Sequence, residues 1–226
     1  MTNQLDEQAH PTMTLPSQPE GYVATPHSGS GPGVLVLHAW WGLNATIKAF
    51  CDALAAEGFV AFAPDLYDGE VATTIDGAEA LGQALDARHD EARAEVAQAA
   101  DFLTGRACGD SIAVVGFSLG AYYALDLAAR APQCIDAVVL YYGSGGGDGS
   151  TARARYLGHF AGNDPYEPPA NIDHLERALR ESGREVSFHR YPGVGHWFCE
   201  PDREDAFDAP SAALAWKRTL AFLCQD

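Results

Sequence analysis

The sequence predicts an α/β fold in which a mostly parallel sheet is covered by helices on both faces. Three observations predict it. Short apolar runs alternate with helix-like stretches from Gly33 to the C-terminus. The chain has 226 residues, enough for one large domain with a sizeable core. Its 47% hydrophobic and 20% charged content is ordinary for a globular protein.

The elements follow in order. Val34–His38 reads as a buried strand. Asn44–Glu57 reads as a helix with Asn44 placed to cap it, Ile47, Phe50 and Leu54 on the apolar face, and Gly58 to end it. Phe59–Ala63 is a second strand, closed by Pro64 and Asp65. Residues 71–87 are Ala-rich and amphipathic, one weaker helix or two short ones. Asp90–Thr104 is a clearer helix ending at Gly105. Ser111–Val115 is a strand and Leu119–Ala131 a helix. Ala137–Tyr142 is a strand running into a Gly-rich loop. Arg155–Ala161 is the next strand, Ile172–Ser182 a helix starting near Asn171, and Val186–Tyr191 the last strand. Asp205–Leu223 is mostly helix, with Pro210 a point of breakage or restart. Residues 21–226 are expected to form a single domain, preceded by a loosely ordered polar tail over 1–20.

Charge narrows the partners. The formal net charge is −17, which phosphate backbones and anionic membrane surfaces repel, so neither nucleic acid nor membrane is expected as a partner. Lys48 and Lys217 are the only lysines. That pattern fits salt adaptation or a codon bias toward Arg, Ala and Asp, and the hydrophobic core favours the second. The five cysteines match no zinc or redox spacing and read as reduced thiols. The N-terminus lacks the basic and apolar regions of a signal peptide, so a cytoplasmic protein is expected. No histidine pair has helical metal-ligand spacing, and no metal or other cofactor is expected.

Chemistry enters at Gly116-Phe117-Ser118-Leu119-Gly120. A G-x-S-x-G pentapeptide is weak evidence alone in a chain with 23 glycines. Here an apolar strand runs into it and a helix runs out, the setting of a nucleophile elbow. Such a turn presents the Ser118 hydroxyl at a helix N-terminus, where orphan N–H groups favour negative charge. The competing reading is a tight turn whose serine merely caps the helix.

The hydrolase order is Ser, then Asp or Glu, then His. Asp164 follows the strand ending at Ala161, in a loop marked by Asn163 and Pro165, and is the expected acid. Asp148 competes but has no strand leading into it, and Asp173 reads as a helix cap. His196 follows the last strand, with Gly193 and Gly195 loosening its loop, and is the expected base. His159 and His189 read as ordinary strand histidines, and His89 and His174 as exposed helix residues. The oxyanion hole is expected from the backbone N–H groups of Leu119 and Trp40. The Trp40 indole would also wall the pocket, with packing an equally good reading for Trp41.

At these residues the chain resembles the dienelactone hydrolase family. VLVLHAWWGLN, VAFAPDLYDG, VVGFSLGAYYALDLA, YLGHFAGNDPYEP and the segment from YPGVGHWF to the C-terminus carry the likeness. The resemblance implies an α/β-hydrolase core with a minimal cap or none, and a monomer or weak dimer. Two departures agree with each other. Members that open dienelactones use Cys where this chain has Ser118, and carry a Glu, which manages the thiol proton, where this chain has Ala39. A third concerns substrate. Those members bind the substrate carboxylate with arginines, one shortly after the catalytic His, and Glu200 stands near that place here.

The expected activity is therefore hydrolysis of a small, neutral, moderately apolar carboxylic ester or lactone. Trp40, Phe117, Tyr122, Tyr142, Trp197 and Phe198 are the expected aromatic pocket. Glu200, Asp202, Glu204 and Asp205 would rim it and repel anions. Dienelactone opening itself is the alternative within enzymes, and a non-catalytic binding protein on the same scaffold is the alternative outside them.

Overall fold

A computed structural model describes residues 18–147 and 151–225. Residues 1–17 of the expected tail, and the competing acid Asp148, lie outside the described residues. The described chain forms one seven-stranded sheet. Its strands are β1 (Gly21–Ala24), β2 (Gly33–Leu37), β3 (Val60–Pro64), β4 (Ile112–Phe117), β5 (Ile135–Tyr141), β6 (Arg155–Ala161) and β7 (Val186–Tyr191). Their spatial order is β1-β3-β2-β4-β5-β6-β7. β1 runs antiparallel to β3, and every other pairing is parallel.

The helices are α1 (Ala45–Ala56), α2 (Ile75–Ala87), α3 (His89–Thr104), α4 (Leu119–Arg130), α5 (Pro169–Glu181) and α6 (Ala209–Leu223). Strand alternation divides the core into two layers. Leu35, Leu37, Val114, Val138 and Leu140 pack with α3, α4 and α5. Val34, Val36, Val115, Val139 and Tyr141 pack with α1 and α6. Both faces are covered, which is why these strands read as continuous apolar runs.

The differences from expectation lie mostly at element ends. β1 was not anticipated: it is a four-residue edge strand, partly exposed. Residues 75–87 form one helix, capped by the Thr74 hydroxyl accepting from the Gly77 N–H. α5 begins at Pro169, before the expected Asn171, because proline suits the first turn of a helix. Asp173 therefore lies inside α5 and does not cap it; it pairs with Arg190 instead. α6 begins at Ala209, with Asp208 accepting from the Ser211 N–H and Pro210 in the opening turn. No described helix is long and apolar enough to cross a membrane.

His159, read from the sequence as an ordinary strand histidine, lies in β6 and is buried. Its Nδ1 lies 2.9 Å from the Tyr191 hydroxyl and its Nε2 3.0 Å from that of Thr219. Burial holds its pKa well below the ordinary histidine value, so it stays neutral.

Candidate active site

β4 delivers Ser118 into α4 through a strained turn, with Ser118 at φ 49° and ψ −108°. The two flanking glycines are required for room. A Cβ on Gly116 would sit 2.4 Å from the Gly120 carbonyl oxygen, and one on Gly120 would sit 2.2 Å from that of Leu37. The start of α4 is thus pressed against the end of β2.

The Ser118 side chain makes no capping bond to α4. Its Oγ lies 2.9 Å from His196 Nε2 instead. His196 Nδ1 lies 2.7 Å from Asp164 Oδ2. The other Asp164 oxygen accepts the backbone N–H groups of Tyr166 and Glu167, at 2.9 and 3.0 Å. A carboxylate only accepts, so Nδ1 carries the hydrogen and Nε2 is free to accept from the Ser118 hydroxyl. The His196 and Asp164 side chains are 4% and 2% exposed, so water barely competes for this contact.

Two loops hold base and acid together. The loop after β6 donates from Gly162 N to Tyr191 O at 2.8 Å and from Asn163 N to Val194 O at 3.0 Å, stitching it to the loop after β7. Trp197, next to the base, adopts φ 64°. Its ring meets those of Trp41 and Tyr166, each with centroids 5.0 Å away.

The turn after β2 is fixed by His38, which is fully buried. Burial lowers its pKa and keeps the ring neutral. Its Nδ1 donates to Ala39 O at 2.8 Å, and its Nε2 accepts from Leu66 N at 3.3 Å. The next N–H is that of Trp40. Neither it nor the Leu119 N–H is taken by a backbone acceptor in the described turns and loops. Trp40 and Ser118 line the same cleft.

That cleft is small, about 250 Å³. Trp40, Tyr122, Tyr142 and Trp197, read from the sequence as pocket residues, line it. Phe117 does not: it is 2% exposed and stacks on Tyr141, with centroids 4.5 Å apart, on the α1–α6 side of the sheet. Phe198 is fully buried against Tyr191. Tyr166 and Glu167 line the cleft without having been singled out in the sequence. Their place immediately after Asp164, in a loop leaving the C-terminal end of a strand, was the available signal.

Glu200 is also displaced from expectation. It is 0% exposed and lies under the site, accepting the Tyr142 hydroxyl at 2.8 Å. Burial raises its pKa to about 8, so it holds its proton at neutral pH. Asp202 points away as well, accepting from Asn44 Nδ2 at 3.0 Å and Thr46 Oγ1 at 2.6 Å. Arg203 lies over the Trp41 ring at 3.9 Å. The loop after His196 thus folds onto the start of α1, and none of Glu200, Asp202, Glu204 and Asp205 is among the residues lining the cleft.

Larger hollows exist elsewhere. One of about 430 Å³ lies at the opposite end of the sheet beside Gly33 and Asp136, away from the Ser118–His196 contact. No cluster of three or more His, Cys, Asp or Glu among the described residues is arranged to hold a metal ion.

A family model described as the dienelactone hydrolase family matches residues 20–226. A protein named usf from Aquifex pyrophilus is 35% identical over 89% of this chain and 91% of its own length. A putative carboxymethylenebutenolidase from Aquifex aeolicus is 32% identical over the same shares. The crystal structure of a putative dienelactone hydrolase from Klebsiella pneumoniae superposes with a TM-score of 0.80 at 25% identity, covering 91% of this chain and 92% of that one.

Proposed function

We propose that this chain, which belongs to the dienelactone hydrolase family, is a serine hydrolase that cleaves a small carboxylic ester or lactone through an acyl-enzyme. The family makes it an α/β-hydrolase acting on ester-type bonds. The finer reading rests on one observation, the hydrogen-bonded line from Ser118 Oγ through the His196 ring to Asp164, at 2.9 and 2.7 Å.

In this reading Ser118 Oγ attacks the carbonyl carbon as His196 Nε2 takes the hydroxyl proton. Asp164 holds the ring's tautomer and stabilises the imidazolium. The N–H groups of Leu119 and Trp40 receive the oxyanion, a donor of that kind contributing roughly 10²–10³ in rate. The intermediate collapses, His196 returns the proton to the departing alkoxide, and the acyl group stays on Ser118. Water then attacks the acyl carbon with the same base, releasing the acid and free Ser118. In a lactone the leaving alkoxide remains tethered, so one hydroxy acid leaves.

Carboxymethylenebutenolidase-type lactone opening is the second reading, supported by the names of the Aquifex aeolicus relative and others. Against it, none of the described residues lining the cleft is Arg or Lys, so nothing there is placed to hold a substrate carboxylate. The five unpaired cysteines accord with a reducing, cytoplasmic setting, and we take the chain to act as a monomer or weak dimer.

The test is a panel of chromogenic esters and lactones together with a fluorophosphonate. The expected result is ester turnover and stoichiometric labelling at Ser118, both lost in Ser118→Ala. Retained turnover in that variant would remove Ser118 as the nucleophile. Ligand binding without turnover would favour a non-catalytic binding protein.

A further inference from the structure

We propose that the cleft selects esters carrying a fixed positive charge, the organic cation resting against Trp40, Tyr166 and Trp197 with the Glu167 carboxylate as its counter-charge. This deepens the ester-hydrolase reading and rests on it.

The first observation is the state of Glu167. It is 9% exposed and lines the cleft beside Ser118 and His196. Its oxygens accept the Ser144 N–H at 2.8 Å and the Ser144 hydroxyl at 2.6 Å. Its own N–H donates to Asp164, so the group is fixed from both ends. Among the described residues no Lys, Arg or His forms an ion pair with it. A buried carboxylate ordinarily has a cationic partner. This one has only neutral donors among the described residues, and two bonds leave it unused acceptor capacity.

The second observation is the aromatic wall. The Tyr166 ring stands 6.0 Å from Trp40 and 5.0 Å from Trp197, centroid to centroid. Tyr166 is 44% exposed, so part of its ring is left uncovered. Adjoining aromatic rings attract a cation through their negative faces, most strongly where water is partly excluded. An uncharged substrate could use the same wall, but it would leave Glu167 without compensation once water is displaced.

A small cation also suits the reaction. The oxyanion forms in a cleft that already holds a carboxylate, and a bound positive charge offsets the repulsion between them.

Two measurements at fixed ionic strength test this. The first is the ratio of kcat/KM for butyrylthiocholine over its uncharged carbon isostere, the 3,3-dimethylbutyl thioester, in wild type and Glu167→Gln. Gln keeps an acceptor for Ser144 and removes the charge. The expected wild-type ratio is about tenfold or more in favour of the cation, falling toward unity in the variant. Glu57→Gln, an exposed change by the hollow at the far end of the sheet, should leave the ratio alone. The second is quenching of tryptophan fluorescence by tetramethylammonium chloride against sodium chloride, expected in wild type and weakened in Glu167→Gln. Equal kcat/KM for the two esters in wild type, or a ratio that Glu167→Gln does not change, overturns the proposal. If neither thioester is cleaved, the ester panel and fluorophosphonate labelling decide the hydrolase reading, and the quenching experiment alone decides whether the cation site exists. Equal quenching by the two salts overturns it there.

Discussion

Asp164 shares its two oxygens between His196 and the backbone of its own loop, so its effects on catalysis and on loop structure can be separated. Asp164→Asn keeps the side-chain shape but offers an amide N–H₂ or a carbonyl where a carboxylate stood. It should lower kcat by roughly 10⁴ through the wrong imidazole tautomer, with thermal stability little changed. An Asn variant with near-normal kcat would remove Asp164 from its role. Glu200 gives a prediction of a different kind. Its folded pKa is about 8 against an ordinary value of 4.5, so between those values the folded protein holds a proton that the unfolded chain has lost. Stability from this site is therefore greatest below pH 4.5 and is lost as pH rises toward about 8. Glu200→Gln should flatten that slope, and its advantage over wild type should grow between pH 5 and 9 in urea unfolding. Parallel pH dependences would show that Glu200 does not titrate in this way. The residues at these sites were unequally legible. Ser118, Asp164 and His196 were named by motif and chain order, because the fold fixes which strand ends meet. Glu200 was misplaced because sequence position gives the loop and not the direction a side chain takes within it. Phe117 was misplaced although parity with Val115 and Ala113 puts it on the α1–α6 layer.

At the scale of elements, the strands were readable because burial on both faces writes a continuous apolar run, as in β2 and β4. β1 escaped because four residues at a sheet edge, only one of them buried, carry little pattern. The early start of α5 escaped because Pro168 and Pro169 read as loop, although the fixed φ of proline suits a first helical turn. The contact between α4 and β2 at Gly120 is explained only by distance. Gly120→Ala places a Cβ 2.2 Å from the Leu37 backbone oxygen, which no rotamer change relieves. The expected cost is at least the ~1–3 kcal/mol of an overpacked core, with the Ser118 turn pushed away from Trp40. Thermal unfolding and acylation rate should fall together, and an alanine variant with normal stability would contradict the packing. Asn44 joins two elements. It caps α1 by accepting the Ile47 N–H at 3.1 Å and donates to Asp202 at 3.0 Å, anchoring the loop that follows His196. Asn44→Ala should cost about 1 kcal/mol for the cap, and somewhat more if the Asp202 contact contributes. A loss well under 0.5 kcal/mol in denaturant unfolding would mean that neither bond contributes.

Taken whole, the molecule carries a formal charge of −17, and its charge selectivity should divide into two parts that salt can separate. The long-range part comes from the net charge and acts on any approaching anion. At 0.01 M ionic strength the Debye length is ~30 Å, comparable to the protein itself, and at 0.1 M it is ~10 Å. The short-range part comes from Glu167 inside the cleft, where partial burial limits screening. Glu200, expected from the sequence to supply it, is buried and protonated at neutral pH and so cannot. A carboxylate-bearing ester should therefore have a lower kcat/KM than a neutral ester of the same size. The gap should be widest at 0.01 M, narrow as salt is added, and then level off above zero. Glu167→Gln should lower that plateau without removing the salt-dependent portion. Glu200→Arg, which inserts a cation into a buried site, should destabilise the fold before it alters selectivity. The measurement is kcat/KM for the matched esters across ionic strength on wild type and Glu167→Gln. A gap that closes completely with salt would assign all selectivity to the net charge and none to the cleft. A wild-type preference for the carboxylate would require a cation that the cleft lining does not provide. Arg88 is already committed to Glu95 and the Leu66 carbonyl, so the exposed Arg153 would be the side chain to substitute next.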